Sequence, residues 1–233
     1  MILTAHQPVY LPWLGLFHKI ALSDAYVFLD TVKYLKQDWN NRNKIKGANG
    51  AMWLSVPAAT KGTDNILLQD VRISNQHNWR LKHWHSIKSC YGRAPYFAQY
   101  APVCEEIYHR QWEFLNDLNH QMMMWFLEAL RIKVRFLRAS ELDLQGTKSD
   151  LILDMCRKLG ATTYIFGALG RDYAKVNDFE DAGVKVVFQD YRHPEYRQMH
   201  GAFISHMSIL DLLFNCGPNS LEILMNDQQQ DAI

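Results

Sequence analysis

Two prolines, Pro8 and Pro12, stand directly behind a short apolar run over residues 1–5. Proline has no backbone N–H and cannot continue a buried sheet ladder, so this run is predicted to be one short strand that ends in a turn. Pro12 suits the first position of a helix. Trp13, Leu16, Phe17 and Ile20 follow at helical spacing and end near Ser23-Asp24. Residues 25–34 are rich in Val, Phe, Leu and Tyr and read as a second buried strand that carries Asp30. Strand, helix and strand in immediate succession predict a right-handed βαβ unit and a parallel sheet.

Residues 36–50 are polar and read as a loop containing Arg42-Asn43-Lys44. Residues 52–56 read as a strand, 61–66 as a second loop and 71–73 as a short strand. From 78 to 130 the pattern turns helical. Trp79, Trp84, Ile87 and Tyr91 form one stripe, which suits core packing or a partner face. Pro95 and Pro102 are expected to break the pattern. Val103, Ile107, Gln111 and Leu115 step along another helix, and 122–130 is apolar on most faces. A βα rhythm then returns, with strands at 134–137, 163–166 and 184–188. Thr147-Lys148-Ser149-Asp150 offers an N-cap for a helix over 151–159, which Gly160 stops. A final helix spans 208–215 before Gly217-Pro218, and the polar tail from residue 226 is expected to fray. These features predict an α/β fold with a mostly parallel Rossmann-like sheet. They describe a single domain over 1–233, with 78–130 as a helical insert or subdomain.

The 25 basic and 24 acidic residues leave a net charge of +1, which gives no strong attraction to bulk nucleic acid or to an anionic membrane surface. An apolar share of 48% supports a sizeable core. No window reaches the ~18 uninterrupted apolar residues of a membrane span, and no signal peptide is recognised at the N-terminus. Cys90, Cys104, Cys156 and Cys216 form no C-x-x-C pair and read as free thiols in a reducing compartment. A cytoplasmic location follows as the expectation.

In open α/β sheets, ligands bind beyond the carboxyl ends of the strands, and four polar clusters fall at such ends. His6, Gln7 and Tyr10 follow the first strand and precede a helix N-terminus, where backbone N–H groups favour a phosphate or carboxylate. The bland alternative is a capped turn. Asp30 is followed by Arg42 and Asn43; Arg42 is either its ion-pair partner or a fork for a substrate anion. Gly167-x-x-Gly170-Arg171-Asp172-Tyr173 follows a strand, and glycines there permit close approach of a ligand or simply make a tight turn. Lys148 adds positive charge near the same sheet end, or is merely solvated. The last cluster is His193-Pro194-x-Tyr196-x-Gln198 with His206-x-Ser208-x-x-Asp211. His193 stands where a general base could act, Ser208 reads as a helix cap, and Asp211 could orient an imidazole. His6, His193 and Asp30 are the candidate catalytic groups. Gln7, Tyr10, Arg42, Asn43, Lys148, Gly167, Gly170, Tyr173, Gln198, His206 and Asp211 are the candidate substrate ligands.

There is no G-x-S-x-G elbow and no cysteine-protease motif, which removes support for a hydrolase-type covalent nucleophile. His83-x-His85 would point apart on a helix, so no metal site is assigned, and no cofactor is expected. His18, His77, His109, His120 and His200 carry no motif of their own.

Six ordered motifs carry a resemblance over about residues 3–218. They are His6-Gln7-Pro8-x-Tyr10-x-Pro12-Trp13-x-Gly15, Ser23-Asp24-x-x-Val27-x-Leu29-Asp30, Arg42-Asn43-x-Ile45, Gly167-x-x-Gly170-x-x-Tyr173, His193-Pro194-x-Tyr196-x-Gln198 and Ser208-Ile209-Leu210-Asp211. In these the chain resembles the WbqC-like family. The resemblance implies a place in the biosynthesis of O-antigen and other surface polysaccharides, and the decoration of an amino sugar with glycine or a similar acyl or aminoacyl group. The expected partners are therefore a nucleotide-sugar and an activated acyl or aminoacyl donor. Two other readings stand beside this one. One is ATP-dependent nucleotidyl or adenylyl transfer, against which His6 and His18 lie too far apart for an H-x-G-H motif. The other is a non-catalytic nucleotide-sugar binding protein. Oligomeric state is left open.

Overall fold

The computed structural model describes residues 1–60 and 65–226. Part of the expected second loop, 61–64, and the tail from 227 lie outside the described residues. The first strand, β1 (Ile2–His6), ends at the Pro8–Pro12 turn, and α1 (Leu14–Ala21) follows. Pro12 is not the first helical residue: Trp13 takes the cap position with extended backbone, and Leu14 opens the helix. β2 (Ala25–Phe28) is shorter than expected, because the chain turns before Asp30 instead of carrying it within the strand.

The polar segment expected to be a loop is instead half of a hairpin. β3 (Arg42–Gly47) pairs antiparallel with β4 (Gly50–Ser55), Arg42 opposite Ser55 and Ile45 opposite Met52. Residues 71–73 make only isolated bridges, Ile73 to Ala58 and Arg72 to Phe114. Three helices follow: α2 (Trp79–Tyr91), α3 (Phe97–His109) and α4 (Leu115–Ala129). The expected helix through Val103, Ile107, Gln111 and Leu115 is cut between α3 and α4. Pro102 does not end a helix but sits inside α3, where buried Ala101 and Cys104 anchor both sides of the lost hydrogen bond. Trp79, Trp84, Ile87 and Tyr91 are all buried, so the aromatic stripe is core.

β5 (Arg135–Arg138), α5 (Lys148–Leu159), β6 (Thr163–Phe166), α6 (Val176–Asp181), β7 (Lys185–Phe188), α7 (Ile209–Cys216) and α8 (Ser220–Met225) complete the chain. Gly160 closes α5 in the left-handed conformation, at φ 68°. The short α8 after Gly217-Pro218 had no signal in the periodicity.

Five strands form one all-parallel sheet in the order β5-β2-β1-β6-β7. Numbered along the chain, these are the third, second, first, fourth and fifth parallel strands, which is the Rossmann-like arrangement. Period-two alternation assigns the two faces. Leu3, Ala5, Ala25, Val27, Tyr164 and Phe166 pack under α5 and α6, through Ile152, Met155, Cys156 and Phe179. Tyr26 and Phe28 pack on the other face, in the core built with Phe17 of α1, Phe126 of α4 and the buried residues of α7. The winding reverses at β1. Strands added before the reversal lie on its β2 side and those added after it on its β6 side, so a crevice opens between the carboxyl ends of β1 and β6.

Candidate functional site

β1 delivers His6 and Gln7 to this crevice, and β6 delivers Gly167. His6 Nδ1 lies 2.8 Å from its neighbour's carbonyl, Gln7 O, which can only accept, so Nδ1 carries the hydrogen and Nε2 holds the lone pair. Burial pushes the His6 pKa down to about 4, and the Lys19 ammonium adds to the shift. Lys19 is itself buried in α1, donates to Ala5 O at 3.0 Å, and is pushed down to about 8 by burial. Neutral imidazole and buried amine thus share the end of β1. Leu11, in the turn beyond, is fully buried with φ 47°, a strained backbone for a residue with a side chain. Asn43 Nδ2 pins the strained residue by donating to Leu11 O at 2.6 Å, and Asn40 Nδ2 donates to Pro8 O at 2.8 Å.

The hairpin stands beside this turn. Tyr10 N donates to Trp39 O, and Gln7 Nε2 reaches Asp38 Oδ2 at 3.4 Å. Trp39 and Trp53 are each 44% exposed, with ring centroids 5.3 Å apart. The Arg42 guanidinium lies over Trp53 at 4.7 Å and the Lys44 ammonium at 4.9 Å. One Arg42 nitrogen donates to Gln37 O. The hairpin and the segment before it therefore present a half-exposed aromatic pair, with both cations over the Trp53 ring.

A third wall comes from β7 and the long loop after it. Gln189, just past β7, donates from Nε2 to Gly15 O and to His18 Nδ1, both at 2.8 Å. Tyr191 packs on His18 and edge-on to Trp13, with centroids at 4.9 and 5.5 Å. His193 lies 6.1 Å from Tyr191 and 5.1 Å from His206, which stacks on Trp13 at 5.4 Å. An isolated bridge from Trp13 to Ser208 ties this loop back to the first turn, and Ser208 Oγ caps α7 through Leu210 N.

Asp211 does not orient an imidazole. It is buried and accepts from Tyr91 Oη, Tyr196 Oη and Gln198 Nε2 at 2.9, 2.9 and 2.7 Å. Gln198 also bonds Ile204 through N–H and carbonyl, so Gln198 and Asp211 fix the loop that carries His193. Asp30 is paired with Arg138, not Arg42. Arg138 Nε, Ser140 N and Ser140 Oγ all approach its carboxylate within 3.0 Å, which satisfies a fully buried charge at the end of β2. Tyr10 turns into the helical core, its hydroxyl 2.8 Å from His83 Nδ1 and 2.5 Å from Tyr108 Oη. Lys148 is exposed at the start of α5, on the opposite face of the sheet from the hairpin. Tyr173 is 43% exposed and touches Phe166.

The two glycines differ in what they demand. A Cβ on Gly170 would meet Phe166 Cβ at 2.6 Å, whereas one on Gly167 meets nothing within 4 Å. Gly170 is therefore a packing requirement and Gly167 the open crevice position. Gly170→Ala is expected to lower stability by about 1–3 kcal/mol through overpacking, while Gly167→Ala leaves it within about 0.5 kcal/mol. Chemical denaturation of the two variants side by side checks this; equal midpoints would contradict it.

Among the described residues no group of His, Cys, Asp and Glu is arranged to hold a metal ion, and no helix is long and apolar enough to cross a membrane. All four cysteines are free. A surface cleft of about 420 Å3 around Arg72, Asn75 and Glu113 is lined by none of the candidate site residues. Its charged lining is engaged in the Arg72–Glu113 ion pair.

Fold and crevice together define a parallel, Rossmann-like α/β protein with histidines and exposed tryptophans gathered at the carboxyl edge of its sheet. The model of the WbqC-like protein family matches residues 7–223, and the chain belongs to that family. It is 32% identical to the "Uncharacterized protein Rv1507c" of Mycobacterium tuberculosis (strain ATCC 25618 / H37Rv), over 94% of this chain and 95% of the relative. No solved structure matches.

Trp39, Trp53, Lys19, Gln189 and Tyr191 were not among the sequence candidates, and His18 was weighed only against an H-x-G-H motif. Lys19 alone had a legible signal, a charged residue in a helix whose other positions from 14 to 20 are also buried. Trp39 and Trp53 gain meaning only once the hairpin brings them together.

Proposed function

We propose that this protein is a cytoplasmic transferase of surface-polysaccharide biosynthesis. It moves an activated acyl or aminoacyl group, of the glycyl type, onto an amino group of a nucleotide-linked sugar. The observation that carries the nucleotide is the Trp39–Trp53 pair, with Arg42 and Lys44 over Trp53, beside the β1 turn. An exposed indole offers a face for a base, and a guanidinium fork and an ammonium offer partners for a diphosphate. The sheet's switch point is the place where such ligands bind in folds of this class. The acyl or aminoacyl part rests on the family resemblance and on the two neutral histidines, His6 and His193, as acceptors of the amine's proton.

Purified protein incubated with UDP- or dTDP-linked amino sugars and activated glycyl or acetyl donors is expected to yield a product heavier by the acyl group. Pyrophosphate release with ATP and no such product would favour nucleotidyl transfer; binding without turnover would favour a binding protein. Trp53→Ala is expected to weaken nucleotide-sugar binding about 5- to 150-fold, the range of one lost base stack of ~1–3 kcal/mol. Titration calorimetry measures it, and an unchanged Kd would place the nucleotide elsewhere.

A further inference from the structure

Three rings in succession, His18, Tyr191 and His193, each carry one buried polar atom with no hydrogen-bond partner among the described residues: His18 Nε2, Tyr191 Oη and His193 Nε2. Buried polar atoms are ordinarily paired, so three in one cluster point to a ligand. His18 lies deepest, at 3% exposure, and Tyr191 and His193 are partly buried.

The hydrogen-bond pattern fixes what each atom offers. Gly15 O is a carbonyl and can only accept, so the Gln189 atom facing it is the amide nitrogen. Its second hydrogen goes to His18 Nδ1, which therefore accepts, and a neutral His18 carries its proton on Nε2. Burial holds His18 neutral, with its pKa pushed down to about 4. For His193 the logic reverses. Its Nδ1 faces Pro194 O at 2.9 Å and must donate to it, so Nε2 presents a lone pair. Burial also holds Tyr191 in its protonated form, which keeps its O–H as a donor. The cluster thus contains two unused donors and one unused acceptor.

We propose that His18 Nε2–H and the Tyr191 hydroxyl are the two donors that receive the carbonyl oxygen of the transferred acyl group, with His193 Nε2 as the proton acceptor beside them. This rests on the transferase reading above and names its chemistry. The amine nitrogen of the sugar attacks the acyl carbon of a thioester, acyl phosphate or similar activated donor. The carbonyl π pair moves onto oxygen, where the two donors hold the developing charge, and the amine proton passes to His193 Nε2. Collapse re-forms the carbonyl, expels the donor's leaving group and returns the proton from His193 to it. Donors fixed before reaction, in a site closed to water, stabilise such an oxyanion far better than solvent does. Trp13 and His206 wall the cluster, and Gln189 is the positioning residue that sets the tautomer of His18.

Two measurements test this. Long-range 1H–15N correlation spectra of the whole protein are expected to show His18 protonated on Nε2 and His193 on Nδ1; the reverse tautomer on His18 overturns the assignment whatever the activity. Tyr191→Phe keeps the ring and removes only the hydroxyl. It is expected to lower kcat about 10²-fold, with KM within threefold of wild type, as the loss of one oxyanion donor does. Wild-type turnover with kcat unchanged in Tyr191→Phe overturns this proposal alone. Absence of transfer by the wild-type protein across the donor panel overturns the transferase reading and this proposal with it.

Discussion

Acidification from pH 7.5 to near pH 5 is expected to destabilise this protein by roughly 4–6 kcal/mol, above the range in which carboxylates begin to titrate. His6, His18 and His83 are each pushed from 6.5 down to about 4, in every case chiefly by burial. A base with a lowered folded pKa is neutral in the fold at pH values where the unfolded chain has already taken up its proton. The unfolded state therefore binds more protons between about 6.5 and 4, and stability falls as pH falls through that window. Each such histidine is worth roughly 2 kcal/mol at pH 5, and His6, partly open to solvent, somewhat less. His120 and His193 are shifted in the same direction by burial and add to the trend. Asp211 opposes it. Burial raises its carboxyl, so its contribution improves as pH falls, but only as that carboxyl takes up a proton. Against a total of about 5–15 kcal/mol for a protein of this kind, the histidine effect is large. Guanidinium unfolding at the two pH values, with a constant slope and a lower midpoint at the acid one, is the expected result. His83→Gln, which keeps a polar partner near Tyr10, is expected to remove part of the difference. A midpoint that does not move between the two pH values would refute the burial account of all three histidines.

Local rules explain what was readable in the chain. Pro8 and Pro12 stop β1 by chemistry, hydrophobic period sets α1 and the strand period sets β2, so the βαβ opening and the parallel sheet were legible. So were the Gly160 stop and the Ser208 cap. The hairpin was not, because β3 reads Arg42-Asn43-Lys44-Ile45-Lys46, a polar run with no apolar alternation. Its inward positions are satisfied only by distant chain. Lys46 is buried by donating to Ala202 O at 2.6 Å, and Asn43 by donating to Leu11 O. The same distance hid the partner of Asp30, which lies 108 positions away at Arg138. Motif membership also misdirected in one respect. Tyr10 stands within the densest motif, yet its hydroxyl belongs to the helical core, while His18, weighed only against an H-x-G-H motif, owes its unpaired N–H to Gln189. Residue type nominates candidate groups at the carboxyl edge; only the three-dimensional pairing says which of them are already used.

Under the proposed acyl transfer, His193→Ala is expected to lower kcat by about 10²- to 10⁴-fold, whereas His6→Ala raises KM more than it lowers kcat. Both imidazoles donate from Nδ1 to a backbone carbonyl, and both present Nε2 as a lone pair. Their environments separate them. His6 sits beside the buried Lys19 ammonium, which opposes a second positive charge, and with burial holds the imidazole near 4. A base that weak is poorly matched to an amine's proton at neutral pH, but a neutral acceptor fixed at the switch point is well suited to anchor a hydroxyl or N–H of the substrate. His193 is lowered by burial and by its neighbour His206, while its bond to Pro194 O pulls the other way, and no ammonium stands among the causes. It also lies in the loop braced by Gln198 and Asp211, next to Tyr191. With His193 as base, kcat/KM is expected to fall as pH drops through a single ionisation below 6.5, and His206→Gln is expected to move that ionisation upward by removing a neighbouring positive charge. An unshifted profile in His206→Gln, or full kcat in His193→Ala, would transfer the role of base to His6.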